Sequence, residues 1–389
     1  MQLPVDVKAI FDAATDIESA RAMPLSVSVL IDDTAPGDLT AHVRNAFASA
    51  HASVRVTIGY LGDSLAKPHA GDNMVVLVAG LSERMGAHAK SVRDAGVPAM
   101  VATTLPRLVE DMANAAGVPI PAGDVVFPEK VSRCPLAALR FADDGSLSKV
   151  GSFFGALKGS AGLCGPASKP DAEPAAPGKP AVPAAPEEPM VLDGQARANF
   201  DERMGEWIID ACADKRLAFA LAFPFVRRPL SVESVYATSA QNAGIGLVAF
   251  IPGADMPIMT LNQAKMLLQI AAAYGQPMST ERVKELACVV GGAFALRNVA
   301  RSVAGVVPVL GWAVRAGVGY AGTEAMGRAA IEYFEAGGDI VGFATVVQKA
   351  RDGAAQAAAT AAETPTGRKV LAGAKSAAGE VVRRVRSRS

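Results

Sequence analysis

Cysteine, histidine and net charge are scarce in this chain, and each scarcity removes a class of chemistry. The four cysteines among 389 residues, Cys134, Cys164, Cys212 and Cys288, show no CxxC spacing. That argues against a disulfide framework and for reduced thiols in a cytoplasmic protein. The four histidines, His42, His51, His69 and His88, form no HxxxH or HExxH pair and read as solvated surface residues, so no metal site is expected. With 38 basic and 38 acidic residues the formal charge is zero, so no global field draws the chain to nucleic acid. A Gly-x-Ser-x-Gly elbow is also missing, which leaves nucleophilic catalysis unsupported. The first two dozen residues carry acids throughout and no uninterrupted apolar core, unlike a secretory signal. Apolar residues, by contrast, are plentiful: 50% of the chain is hydrophobic and the mean hydropathy is +0.25. A chain of this size exceeds one core, so two or three domains are expected.

The first third alternates two periods. Residues 2–22 read as an amphipathic helix through Val7, Ile10, Phe11, Ala14 and Ile17. Strands follow at 25–31, 53–60, 74–79, 99–103 and 125–127, with helices at 39–50, 82–95 and 105–116. Alternating strands and helices imply a parallel sheet covered on both faces. Right-handed crossovers then put the loops after Ile31, Tyr60, Ala79 and Thr103 at the carboxyl edge, where such sheets bind ligands.

Those loops lack what phosphate chemistry needs. A phosphate-binding loop uses glycines for backbone approach, a lysine for the phosphates and a hydroxyl for magnesium. Laid on that pattern, 32–39 puts Asp32 at the first glycine, keeps Gly37, and puts Asp38 at the lysine and Leu39 at the hydroxyl. An acid facing a polyphosphate repels it. The domain resembles an Era-type G domain in outline, with Gly59-Tyr60-Leu61-Gly62 where the magnesium loop would follow its strand, but that loop's aspartate is absent. Thr103-Thr104-Leu105-Pro106 stands where the guanine-reading motif would fall. A degenerate, nucleotide-free G-like domain is therefore expected, with Asp32, Gly37 and Asp38 as its vestigial phosphate loop and no cofactor. A receiver-like or Rossmann-like module is the alternative; Asp32 and Asp33 suit a receiver's magnesium site, but Gly80, Leu81 and Ser82 after the third strand supply no phosphoacceptor.

Past a weakly helical stretch at 131–165, residues 166–190 are mostly Pro, Ala, Gly, Ser and charges. That composition cannot bury a core and marks a linker. Beyond it come a helix at 199–213 and the apolar decapeptide Leu217–Val226, too short to span a bilayer as a helix and so interfacial or buried through Leu217 and Phe223. Ser231 is placed to cap a helix reaching about Phe250, and Asp255 a further helix to Ala273, closed by Gly275 and Pro277. A later helix carries Ala313, Gly317, Ala321, Ala325 and Ala329 in one i, i+4 row, a ridge that lets another helix approach closely. The uncharged run 234–254 and the run 302–322, broken only by Arg315, reach spanning length and raise the expectation of a transmembrane helix. Glu324, Arg328, Glu332 and Glu335 read as a solvated helical face.

Within this half, the turn IPGADMP, a helix carrying Gln263, Lys265 and Met266, then IAAAYG, and later VPVLGW before TEAMGRAAIEYF resemble the YcjF-type domain-of-unknown-function family (domain of unknown function 697), over about residues 231–342. The resemblance implies a bacterial, helical, membrane-associated module that often accompanies Era-like GTPases, with no catalytic residues to carry over.

The expected architecture is an α/β domain at 1–130, a helical extension at 131–165, a linker at 166–190, an all-α domain at 191–362 and a basic tail at 363–389. After Pro365 the tail holds Arg368, Lys369, Lys375, Arg383, Arg384, Arg386 and Arg388 against Glu380, which suits anionic lipid, and has no interleaved aromatics for base stacking. The chain reads as a non-catalytic adaptor on the cytoplasmic side of a membrane, with a protein partner or a second copy and no specific nucleic acid. An unconventional magnesium-dependent NTPase using Asp32, Asp33 and Asp38, and an oligomeric scaffold, are the alternatives.

Overall fold

The computed structural model describes residues 7–48, 53–129, 187–248, 256–279, 281, 283, 311–339 and 342. In chain order its elements are α1 (Val7–Arg21), β1 (Leu25–Ile31), α2 (Gly37–Ala46), β2 (Val54–Tyr60), β3 (Met74–Val78), α3 (Met85–Asp94), β4 (Ala99–Ala102), α4 (Pro106–Ala115) and β5 (Val125–Val126). Then follow α5 (Gly194–Ala211), α6 (Arg216–Ala222), α7 (Pro224–Val248), α8 (Met256–Ala273) and α9 (Gly311–Glu335). They divide into two compact units, Ala20–Leu230 and Met1–Ser19 with Ser231–Ser389.

The first unit is built on a parallel sheet in the order β2-β1-β3-β4-β5. This is a doubly wound α/β arrangement whose strand order reverses between β1 and β3, the place where such sheets form a ligand crevice. One face buries Val75, Leu77, Ala99, Val101 and Val125 against Met85, Ala89 and Val92 of α3 and Val109 and Ala113 of α4. The other presents Val27, Val29, Ile31, Val76, Val78, Met100 and Ala102, all buried. On that side α2 and α5 meet through a 2.8 Å contact between His42 Nε2 and Asp201, and Phe47 packs edge-on against Phe223 and Phe225. Leu217 and Phe223 are thus buried in this unit's core.

The Pro/Ala-rich stretch consequently stands inside the sequence of one unit, between β5 and α5, the helix that completes the sheet's second cover. Helices α5 and α7 approach so closely that a side chain at Gly205 would press on the Pro229 ring and the Phe225 carbonyl. Pro229 lies within α7 and has no N–H to offer that carbonyl. The expectation that Ser231 caps a helix is corrected here: α7 begins at Pro224, and the buried Ser231 hydroxyl has no hydrogen-bond partner. Pro224 follows the extended Phe223, and its fixed φ suits a first helical position.

The second unit buries Ile10 and Ala14 of α1, Val235 of α7, Ala264, Leu267, Leu268 and Ala271 of α8, and Ala330, Ile331 and Phe334 of α9 in one cluster. Residues 259–273 of α8 are buried with few exceptions, which explains a helix apolar on nearly all sides. Polar side chains cross this core. Asn242 Nδ2 donates to Thr323 Oγ1 at 3.0 Å and Gln263 Nε2 to the same oxygen at 2.8 Å, while Asn262 Nδ2 donates to Asn242 Oδ1.

Among the described residues no helix is long and apolar enough to cross a membrane, which overturns the expected transmembrane helix. The apolar runs belong to helices that also carry polar groups: α7 holds the buried Ser234, Thr238, Ser239 and Asn242, and α9 continues into Glu324 and Arg328. The remainder of both runs, 249–254 and 302–310, lies outside the described residues, as do Asp255, the first five residues of the turn IPGADMP, and VPVL, while Met256 and Pro257 begin α8. Ala313, Gly317 and Ala321 lie on α9, but their side-chain surroundings are also outside what is described. Ala325 and Ala329 are exposed. A close approach is made at Gly327, where an added Cβ would overlap Val235 of α7.

Candidate functional site at the carboxyl edge of the sheet

The reversal point between β1 and β3 is where a ligand would be gripped, and Asp32 stands on it. The residue leaves β1 with 7% of its surface exposed. One carboxylate oxygen accepts the Thr34 N–H at 3.1 Å, and the other accepts those of Gly80 and Ser82 at 3.2 Å each. Asp32 thereby ties its own loop to the loop after β3. Thr34 Oγ1 adds a second tie, accepting from the Leu81 N–H at 2.7 Å. The two loops meet so closely at Gly80 that a Cβ there would run into the Thr34 and Ala35 backbone. Only glycine fits where the two loops touch.

The neighbouring positions are self-satisfied as well. Helix α2 starts at Gly37 without a side-chain cap, and Asp38 turns its carboxylate onto the following Leu39 N–H at 2.9 Å. After β4, Thr103 Oγ1 accepts from Leu105 N–H, and Pro106 opens α4. The free amides of that first turn, at Arg107 and Leu108, donate to the Glu187 carboxylate at 3.4 and 2.8 Å. Glu187 comes from 79 residues further along the chain than Leu108. The Met190 N–H then donates to the Thr104 carbonyl at 3.0 Å, fixing the segment beside β4. The first turn of α4, where leading amides could hold a phosphate, therefore faces a carboxylate of the chain itself, whereas α2 and α3 begin without a side-chain cap.

Of Asp32, Gly37 and Asp38, expected from sequence as a vestigial phosphate loop, Asp32 stands in the turn after β1 and Gly37 and Asp38 open α2. Asp32 is a buried clasp, whereas Gly37 and Asp38 are exposed. Asp33 is exposed too. No group of three or more metal-ligating side chains occurs among the described residues. The carboxyl edge instead shows apolar surface: Tyr60 is 64% exposed, Leu81 51%, Val191 79% and Met190 36%.

Two of the histidines depart from the expectation of solvated surface. His88 is buried, and its Nδ1 accepts the Ala66 N–H at 3.0 Å. Burial and the Arg84 charge push its pKa down, against an opposing pull from Asp32, so His88 is neutral at pH 7. His42 is held against Asp201 with 14% of its side chain exposed. His69 is exposed, and His51 lies outside the described residues. Burial raises the Cys212 thiol to about 12, with Lys215 opposing, which makes it inert as a nucleophile.

At the sheet's amino end a cluster not foreseen from sequence surrounds Asp72. Its carboxylate accepts the Ser26 and Ser28 hydroxyls at 2.6 Å each and the His69 N–H at 2.8 Å. Burial works against its charge, but those three hydrogen bonds and the His69 imidazole outweigh it and leave the pKa lowered. Arg55 donates to Ser26 Oγ and to the Ala70 carbonyl. The signal lay in LSVSVLI, whose alternation puts both serines on one face where a polar partner was needed. No family model, curated protein or solved structure matches the chain.

Proposed function

We propose that this chain is a non-catalytic adaptor, in which a nucleotide-free α/β domain offers a docking surface and a helical unit of the YcjF type anchors the assembly. The observation that carries this reading is at the carboxyl edge, where Asp32 holds amides of the loops after β1 and β3 and Glu187 holds the first amides of α4. Two loops tied together by Asp32, with Tyr60, Leu81 and Val191 exposed along the same edge, suit a protein partner better than a small anion. The degenerate G-like outline is part of the proposal, supported by the doubly wound frame and by the acids in its first loop. Attachment to an anionic bilayer surface is assigned to the basic tail, which needs no membrane-crossing helix.

Calorimetry of the full chain with GTP and with ATP, each with magnesium, tests the reading. No saturable heat is expected for either nucleotide. Saturable binding that disappears when Gly37 is replaced would overturn it and favour a working NTPase. Sedimentation with vesicles containing phosphatidylserine tests the attachment: binding that salt reverses is expected, and no difference from neutral vesicles would reject it.

A further inference from the structure

The two edges of the sheet are finished differently. β5 is two residues long and offers almost no template for pairing. β2 runs for seven residues, VRVTIGY, and among the described residues no strand pairs with its outer side. Natural edges are blunted by shortness, proline, charged side chains, a bulge or a covering element; β5 uses the first device, and among the described residues β2 has only the charge of Arg55. Its one charge, Arg55, is engaged with Ser26 and the Ala70 carbonyl.

The register fixes which backbone groups are free. Leu61 N–H donates to the Ile31 carbonyl and Leu25 N–H to the Ser53 carbonyl, so the odd-numbered residues of β2 turn their backbone groups to β1. Val54, Val56, Ile58 and Tyr60 therefore aim theirs outward.

We propose that this edge pairs with the same edge of a second copy of the chain, antiparallel about a two-fold axis at Thr57, making one continuous sheet. The inference deepens the adaptor reading and rests on it. A two-fold at Thr57 sets Val54 opposite Tyr60 and Val56 opposite Ile58, and each pair exchanges its outward N–H and C=O as an antiparallel ladder requires. Ile58, 42% exposed, and Tyr60 gain apolar cross-strand neighbours. Arg55 falls opposite Gly59, so no like charges face each other. The strand is self-complementary in hydrogen bonding, apolar pattern and charge, which is what an isologous contact demands and what a second copy supplies without any further partner.

The test uses the full chain. Sedimentation velocity across a concentration series should give a dimer. Ile58→Pro removes an outward N–H while sparing the bonds to β1 and should leave a monomer with unchanged circular dichroism. Ile58→Lys should do the same if proline perturbs the fold. Thr57→Cys should form a 57–57 disulfide under mild oxidation, because non-hydrogen-bonded antiparallel pairs bring Cα atoms within about 4.5 Å. Arg55→Cys should not cross-link to itself. A monomer at every concentration, or a dimer unaffected by both Ile58 variants and without the 57–57 cross-link in peptide maps, overturns the proposal. Neither outcome touches nucleotide binding, so failure of the dimer and failure of the adaptor reading are distinguishable.

Discussion

The two ends of the sheet are closed by the same device applied to different chemistry. At the amino end, which has no ligand role in doubly wound folds, Asp72 gathers two serine hydroxyls and one amide. At the carboxyl end, where ligands bind in such folds, Asp32 gathers three backbone amides from two loops. The difference lies in what each carboxylate holds: at the amino end mostly side-chain hydroxyls of one strand, at the carboxyl end backbone amides that tie the loop after β1 to the loop after β3.

Substitutions rank the two clasps. Asp32→Ala should cost the most, about 4 kcal/mol in urea unfolding, because it strips the acceptor from several amides at a packed loop junction. An unchanged midpoint would mean that the loops do not depend on one another. Gly80→Ala follows at about 3 kcal/mol, since the loop backbone has to move to admit a Cβ; a neutral effect would show that the crevice has room. Asp72→Ala should cost about 2 kcal/mol, its hydroxyl partners being better able to turn to water.

The amino-end clasp also has a pH signature. Asp72 has a lowered folded pKa, so its contribution is present above the unfolded carboxyl pKa of about 3.9 and is lost as pH falls through the folded value. His88 also has a lowered folded pKa, so stability declines as pH drops below about 6.5, where the unfolded imidazole takes up its proton first. Unfolding midpoints from pH 7 to pH 3 should fall for the parent chain. His88→Gln should flatten the upper part of that decline and Asp72→Asn the lower. Glu187→Ala is the smallest change, about 1 kcal/mol for a lost helix cap, and it should expose the first amides of α4 to exchange.

The alternation of periods made the α/β unit legible. LSVSVLI and MVVLV sit between helical segments, and their strands occur at Leu25–Ile31 and Met74–Val78. The closure of the site was not legible, because it depends on pairings across the chain: Asp32 with Gly80 and Ser82, and Glu187 with α4. The aspartate at position 32 is visible in the sequence, but the amides of Gly80 and Ser82 that it accepts from are not. The long apolar runs misled for a related reason. A helix buried on most sides, such as α8, has the composition of a membrane span, and only tertiary structure separates the two. Composition also placed a domain boundary in the Pro/Ala-rich stretch, whereas the helix that completes the sheet follows it.

Amide hydrogen exchange at the carboxyl edge tests the central claim most directly. The Gly80, Ser82 and Leu108 amides should exchange slowly, near the rates of the β3 amides, and magnesium GTP should leave them unchanged. Rapid exchange at these three sites that slows on adding the nucleotide would contradict the account, because it would show the amides open and waiting for a phosphate.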